Sequence, residues 1–415
     1  MVHGRIRLAA VLVPAGLAFA ATCGAAGDDM LYGLDYRIRL VPEDDLAKVS
    51  VEIGDNADLV RAIRFNIVPG RHTDFSGDGK IDLDGTYVHW TPPAAGGGLA
   101  FSAAVDHERT EGAYDAMLTG EWAIFRGDDM VPPARVRTVK GAEARARLRL
   151  TAPDGWSVVS PYREDDRGWA PVEHADRRFD RPTGWMAAGR MGVRRERIRG
   201  IQVTVAGPVN HGVRRMDMLA FMNWNLPEIL RVFDDFPERM LIVSAGDPMW
   251  RGGLSGPASL FLHADRPLIS ENGTSPLLHE VMHATLGIEA ARDHDWIVEG
   301  LAEFYSVEIM RRSGTISRRR YERGYDQLRR WSEEPDVPGR RPSKGTITAR
   351  AVLVMRKVDE EIRDRTDGDR SLDDVAREIA SLGDRITFDR FREIGEKVAG
   401  APLRALGDGP LPGVD

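Results

Sequence analysis

The chain has 415 residues, 42% hydrophobic and 29% charged, and a formal net charge of -7 at pH 7. That length suggests two or three domains, the composition excludes wholesale disorder, and the acidic balance offers no basic footprint for nucleic acid. Cys23 is the only cysteine, which excludes a disulfide-stapled scaffold and, at the edge of an export signal, a cysteine nucleophile in the mature protein.

Residues 1–26 read as a signal peptide. Arg5 and Arg7 form a positive start, 8–21 is an apolar run, and "AFA" and "CGAA" offer small residues for cleavage. An uncleaved anchor is the alternative, opposed by Pro14, Gly16 and the Ala/Gly-rich end. A lipid on Cys23 is less favoured, because "AAT" lacks the usual branched apolar residue. The expectation is an exported protein, periplasmic or secreted, with no other segment able to span a membrane.

From residue 31 to about 205 the pattern has period two. "LDYRIRLV", "KVSVEIG", "IRFNIV", "YVHWTP", "LAFSAAV", "EWAIF" and "ARLRLTAP" are short strand-like runs between Gly, Pro, Asp and Asn clusters. They predict an antiparallel β-sandwich-like domain over 27–207. Within it, "DFSGDGKIDLDG" places Asp74, Ser76, Asp78 and Asp82 at calcium-loop spacing, with Gly79 at the turn. Gly85 stands where a bidentate glutamate is needed and no helices flank it, so a β-hairpin turn is the better reading.

After residue 208 the period becomes helical. "MDMLAFMNW" and "PEILRVFDDF" are amphipathic, and "RMLIVSAG" and "SLFLHA" are strand-like. Helical patterns then cover 275–287, 293–313, 317–331, 346–365, 371–381 and 387–399. Ser371 and Thr387 are suited to N-caps, and Gly287, Gly314, Gly383 and Gly400 to stops. The fold class expected is α+β, with a catalytic domain over 208–335 and a helical part over 336–415. The arginine-rich stretch 311–331 reads as a solvated helix face.

His279-Glu280-Val281-Met282-His283 is an HExxH motif. On a helix, positions four apart share a face, so both imidazoles can reach one ion. Glu280, beside the first ligand, can take a proton from water. The competing reading is a core helix with satisfied histidines, packed through Leu277, Leu278, Val281, Met282 and Leu286. "DHDWIVEGLAEFYS" then supplies Glu299, separated from His283 by fifteen intervening residues, as a third ligand. One Zn²⁺ held by two histidines and a glutamate would keep a position open for water. A carboxylate amid Trp296, Ile297, Val298 and Leu301 needs a partner. Glu303, four residues on, can accept the N–H of a ligating histidine, or be a solvated charge.

"HEVMH" with "WIVEGLAEFY" resembles the gluzincin metallopeptidases, and within them the glycyl aminopeptidase family. "RLTAPDGWSVVSP", "WRGGLSGPASLFLH" and "VDEEIRDRTDGDRSLDDVAREI" extend the resemblance from about residue 31 to about 403. It implies a thermolysin-like catalytic domain, zinc-dependent hydrolysis of a peptide or protein, and Gly252, Gly253, Leu260 and Leu262 on the substrate side. "SLFLHA" is then expected to be the edge strand that aligns the substrate. It also implies a C-terminal PDZ module in many members, which this sequence is not expected to carry.

Two departures qualify the match. Gly252-Gly253-Leu254 is followed by Ser255 and Gly256, where the family carries an acid that grips a free substrate amine. The tyrosine that donates to the oxyanion is replaced in register by Thr348, and nearby "PSKG" offers Pro342. Tyr305, Tyr321, Tyr325 and His294 remain candidates. An aminopeptidase, an endopeptidase, and a catalytically impaired zinc-binding envelope protein are therefore all open on these residues.

Overall fold

Alternation of apolar and polar side chains sets the first half of the chain into strands, several of which bury every second residue. The computed structural model describes residues 28–109, 112–173, 179–334, 345–383 and 385–407. The expected signal 1–26, with Cys23, and Pro342 lie outside them.

A six-stranded sheet has the order β14 (Ala170–Val172), β12 (Glu143–Thr151), β1 (Leu31–Val41), β2 (Leu46–Ile53), β7 (Gly97–Ala104) and β4 (His72–Gly77). A four-stranded sheet has the order β11 (Ala134–Thr138), β3 (Val60–Asn66), β6 (Tyr87–Thr91) and β5 (Lys80–Asp84). They share a core containing Tyr36, Val49, Val51, Phe65, Trp90, Phe101 and Leu148. Burying a side chain of this size is worth roughly 1.5–3 kcal/mol. The pairing is mainly antiparallel, as expected, with one parallel pair, β1 with β12.

The expected hairpin at Asp74–Gly85 is corrected. β4 pairs with β7 and β5 with β6, so the turn at Asp78 and Gly79 passes the chain between two sheets. Asp78 caps it by accepting the Gly98 N–H at 2.9 Å. Asp74, Asp78 and Asp82 form no metal-ligating cluster among the described residues.

A third sheet has the order β13 (Ser157–Val159), β15 (Trp185–Gly189), β10 (Trp122–Arg126), β9 (Tyr114–Leu118) and β8 (His107–Glu108), with a one-turn α1 (Gly127–Met130) after β10. A fourth has the order β16 (Met191–Ile198), β17 (Ile201–Pro208), β18 (Arg239–Ala245), β20 (Ser259–His263) and β19 (Gly253–Gly256). β16 and β17, expected in the N-terminal domain, join this sheet instead. The reason is the crossover: α2 (Arg215–Val232) returns the chain so that β18 runs parallel to β17.

α2 is one helix where two stretches were expected. Pro227 sits inside it, and Met218, Leu219, Met222, Leu226 and Ile229 hold its buried face across that break. The remaining helices are α3 (Pro276–Leu286), α4 (Asp295–Arg312), α5 (Arg318–Ser332), α6 (Thr346–Arg365), α7 (Leu372–Ala380) and α8 (Phe388–Ala399). Ser371 and Thr387 do cap α7 and α8, and Gly287 and Gly400 close α3 and α8 in the left-handed conformation.

β18 and β20 are buried on both faces, as interior strands are. Met240, Ile242, Leu260 and Leu262 face the helical core, whereas Leu241, Val243, Ala245 and Phe261 face the third sheet. The alternation thus joins the two halves of the chain across one sheet.

Candidate active site

α3 starts where Ser275 accepts the Leu278 N–H at 3.2 Å, with Pro276 in its first turn. Its buried face is Leu277, Leu278, Val281, Met282 and Leu286, as the pattern predicts. The packing fixes the helix, and His279, Glu280 and His283 are left on the stripe that lines a cleft. α4 packs beside it and is buried nearly all round from Trp296 to Met310, so Glu299 and Glu303 on its cleft side need partners.

They find them. The Nε2 atoms of His279 and His283 are 3.0 Å apart. Glu299 reaches His279 Nε2 at 3.4 Å through Oε2 and His283 Nε2 at 3.5 Å through Oε1, and one donor atom from each of the three residues lies within 4.8 Å of the other two. Tetrahedral Zn–N and Zn–O bonds of ~2.0–2.1 Å would separate the ligand atoms by roughly 3.3 Å. The triangle therefore fits one zinc ion, and it is the only such cluster among the described residues. His279 Nδ1 lies 2.9 Å from Glu303 Oε2, which fixes the N–H on Nδ1 and leaves Nε2 free as a ligand.

The charges agree. Burial opposes charge on His279, but hydrogen bonds with Glu299 and Glu303 outweigh it and raise its pKa well above the usual value. Burial pushes His283 down to about 4, with the His279 charge adding to the effect. The carboxylates thus favour positive charge at the centre of the cluster, which a bound cation would supply in place of the His279 proton.

Glu280 is pushed up to about 7 by burial, partly offset by His279, and Ser255 hydrogen-bonds it through backbone and side chain. A Cβ at Gly253 would come within 2.7 Å of Glu280 Cγ, so only glycine lets the carboxyl lie against β19. A Cβ at Gly252 would meet the Trp250 ring at 2.1 Å. Both glycines line the cleft, which has a volume of about 870 Å³. A larger concavity of about 1220 Å³, lined by Asp234, Arg370, Asp374 and Lys397, contains none of the expected site residues.

Three expectations need correction. β20 is not the edge: it lies between β18 and β19, and Leu260 and Leu262 are fully buried in the helical core. The edge is β19, which lines the cleft with Gly253, Leu254 and Ser255. None of the four oxyanion candidates lines the cleft. Tyr305 lies on the far side of α4 and donates to Asp373 at 3.1 Å, because six residues from Glu299 turn a helix to another face. Tyr321 and Tyr325 meet edge to face on α5, with Arg356 over Tyr325 at 4.2 Å. His294 precedes α4, with its Nδ1 buried. Thr348 does line the cleft, together with Gly345 and Ala349.

Sequence reasoning missed Arg109, Trp250 and Arg266, which line the same cleft. Ser255 was seen only as a lost acid, whereas it holds Glu280. A local pattern could have flagged Trp250, next to the glycine pair, but nothing local marks Arg109.

No family model matches the chain, and no curated protein does. Solved structures do. An aminopeptidase N family protein from Idiomarina loihiensis is similar with a TM-score of 0.63 at 14% identity, over 92% of this chain and 74% of that one. An M1 zinc metallopeptidase from Deinococcus radiodurans is similar with a TM-score of 0.56 at 14% identity, over 93% of this chain and 96% of that one. The chain therefore has the α+β fold seen in these aminopeptidase N-type and M1 zinc metallopeptidase structures.

Proposed function

We propose that the protein is a zinc-dependent peptidase acting on a peptide or protein, with His279, His283 and Glu299 as ligands of one ion and Glu280 as general base. The ligand cluster carries this reading: two imidazole Nε2 atoms 3.0 Å apart, with one Glu299 oxygen 3.4 Å from His279 and the other 3.5 Å from His283, suit one zinc ion. When bound, zinc supplies a lowered water pKa and polarises a scissile carbonyl. Glu280 takes a proton from the attacking water and returns it to the leaving amine. Ser255 keeps that carboxylate beside β19. Glu303 holds His279 in its ligating tautomer. The edge strand β19 offers its unpaired backbone groups to an extended peptide. No tyrosine lines the cleft among the described residues, and lacking an oxyanion donor costs on the order of 10²–10³ in turnover. Slow hydrolysis is expected. The features of residues 1–26 support export, and no described helix is long and apolar enough to cross a membrane.

The test is metal analysis paired with Glu280→Gln on a broad peptide library. Zinc is expected near one ion per chain in both proteins, with cleavage by the wild type alone. Wild-type protein that binds no zinc after metal-replete purification would refute the reading. Zinc retained with no cleavage by either protein would favour a non-catalytic zinc-binding role.

A further inference from the structure

The cleft has a second charged wall, supplied by the N-terminal half of the chain. Just beyond β8, Arg109 N–H donates to Ala113 O at 2.7 Å. Tyr114 N–H then donates to Pro248 O at 3.1 Å, and Trp250 N–H donates back to Tyr114 O at 2.7 Å. These bonds tie this stretch to the segment that leads into β19. They also place the Arg109 guanidinium 4.2 Å from the centre of the Trp250 ring.

That guanidinium is held but not used up. Among the described residues its nearest carboxylate, Asp115, is 3.7 Å from Nε. Nη1 is buried and has no hydrogen-bond partner among them. A buried N–H without an acceptor is costly, and native proteins rarely keep one without a use. A guanidinium stacked on an aromatic ring is already oriented, and its planar fork matches a carboxylate. Arg266 lines the same cleft, exposed and without an ion pair among the described residues. Arg251 differs: it is committed to Asp247 through Nε at 2.9 Å.

The acids of the cleft are disposed otherwise. Glu280, Glu299 and Glu303 belong to the histidine cluster, and Asp295 stands at the start of α4. Position 255 on β19, where an amine would be gripped, is a serine bonded to Glu280. The substrate side of the cleft therefore offers guanidinium in place of carboxylate.

We propose that this cleft selects a peptide substrate carrying a carboxylate, gripped by Arg109 on its Trp250 platform, with Arg266 adding charge. This rests on the peptidase reading for the nature of the substrate. The carboxylate is either an acidic side chain or the C-terminus of the peptide.

The experiment uses four N-acetylated peptides of one sequence, with Glu or Gln at one position and a free or amidated C-terminus. Binding is measured on zinc-loaded Glu280→Gln, alone and combined with Arg109→Gln, Arg109→Lys or Arg266→Gln, and kcat/KM on the wild type. A carboxylate-bearing peptide is expected to bind on the order of tenfold tighter than its amide counterpart. Arg109→Gln is expected to bring that ratio to within about twofold, Arg109→Lys to keep part of it, and Arg266→Gln to reduce it less. A ratio seen only between Glu and Gln assigns the side chain, and one seen only between free and amidated ends assigns the C-terminus. The proposal is overturned by no binding to any peptide, by equal binding of acids and amides, or by a preference that survives Arg109→Gln. Preferential binding without cleavage by the wild type, of these peptides or of their free-amine counterparts, would leave the carboxylate site standing and remove the peptidase reading. Cleavage without preference would do the reverse.

Discussion

Glu303 illustrates what a single residue decides here. Its Oε2 takes the hydrogen of His279 Nδ1 at 2.9 Å, and Ser306 Oγ approaches the same oxygen at 3.3 Å. Glu303→Gln keeps the shape and removes the charge that orients and polarises the ring. Zinc affinity is expected to fall by about 10- to 100-fold, read by competition with a chromophoric chelator. Unchanged affinity would reduce Glu303 to a solvated helix charge. At this scale the histidines and glutamates were legible because helical periodicity is local: residues four apart must share a face. The oxyanion candidates were not, since a tyrosine's facing depends on which neighbour buries it. Tyr305 carries the right hydroxyl and spends it on Asp373. Arg109 was invisible for the same reason, because its partner Trp250 is reached only through folding.

Elements show the same division. α6 spans Thr346–Arg365 as its pattern predicts, and the ends of α3 and α8 follow from Ser275, Gly287, Thr387 and Gly400, signals carried within one turn. Strand order is not local, and the reading that put Leu260 and Leu262 on an edge failed there. An apolar run of five residues fits an edge or an interior strand equally well until its neighbours are known. Gly300, by contrast, gains a reason. It follows Glu299 in the resemblance motif, and a Cβ there would lie 2.8 Å from Ala351 Cβ and 3.2 Å from Met355 Cε. α4 and α6 approach too closely for a side chain. Gly300→Val is expected to destabilise by about 1–3 kcal/mol in a denaturant melt, with zinc affinity reduced as Glu299 shifts. A variant as stable as the parent would mean that the contact is slack.

For the whole molecule, the decisive layer lies between the third and fourth sheets. Trp185 and Phe261 meet there at 5.4 Å, and the Trp185 N–H donates to Ser259 Oγ at 2.8 Å. Phe261 is fully buried, on the opposite face of β20 from Leu260 and Leu262. Phe261→Ala is expected to cost about 3–5 kcal/mol and to loosen one half of the chain from the other. Calorimetry should show one unfolding transition in the parent and a broadened or divided one in the variant. A single sharp transition at the parental temperature would show that this layer contributes little.

The stretch that carries Arg109 has a consequence for how such a protein can change over generations. In the proposed reading, the residues that break a bond and those that choose which molecule is broken come from stretches far apart in the chain. Exchange, lengthening or shortening of that one stretch would redirect selectivity while leaving α3 and α4 untouched. Preference is then free to drift between lineages faster than chemistry, and grafted segments offer a direct way to reproduce that drift at the bench.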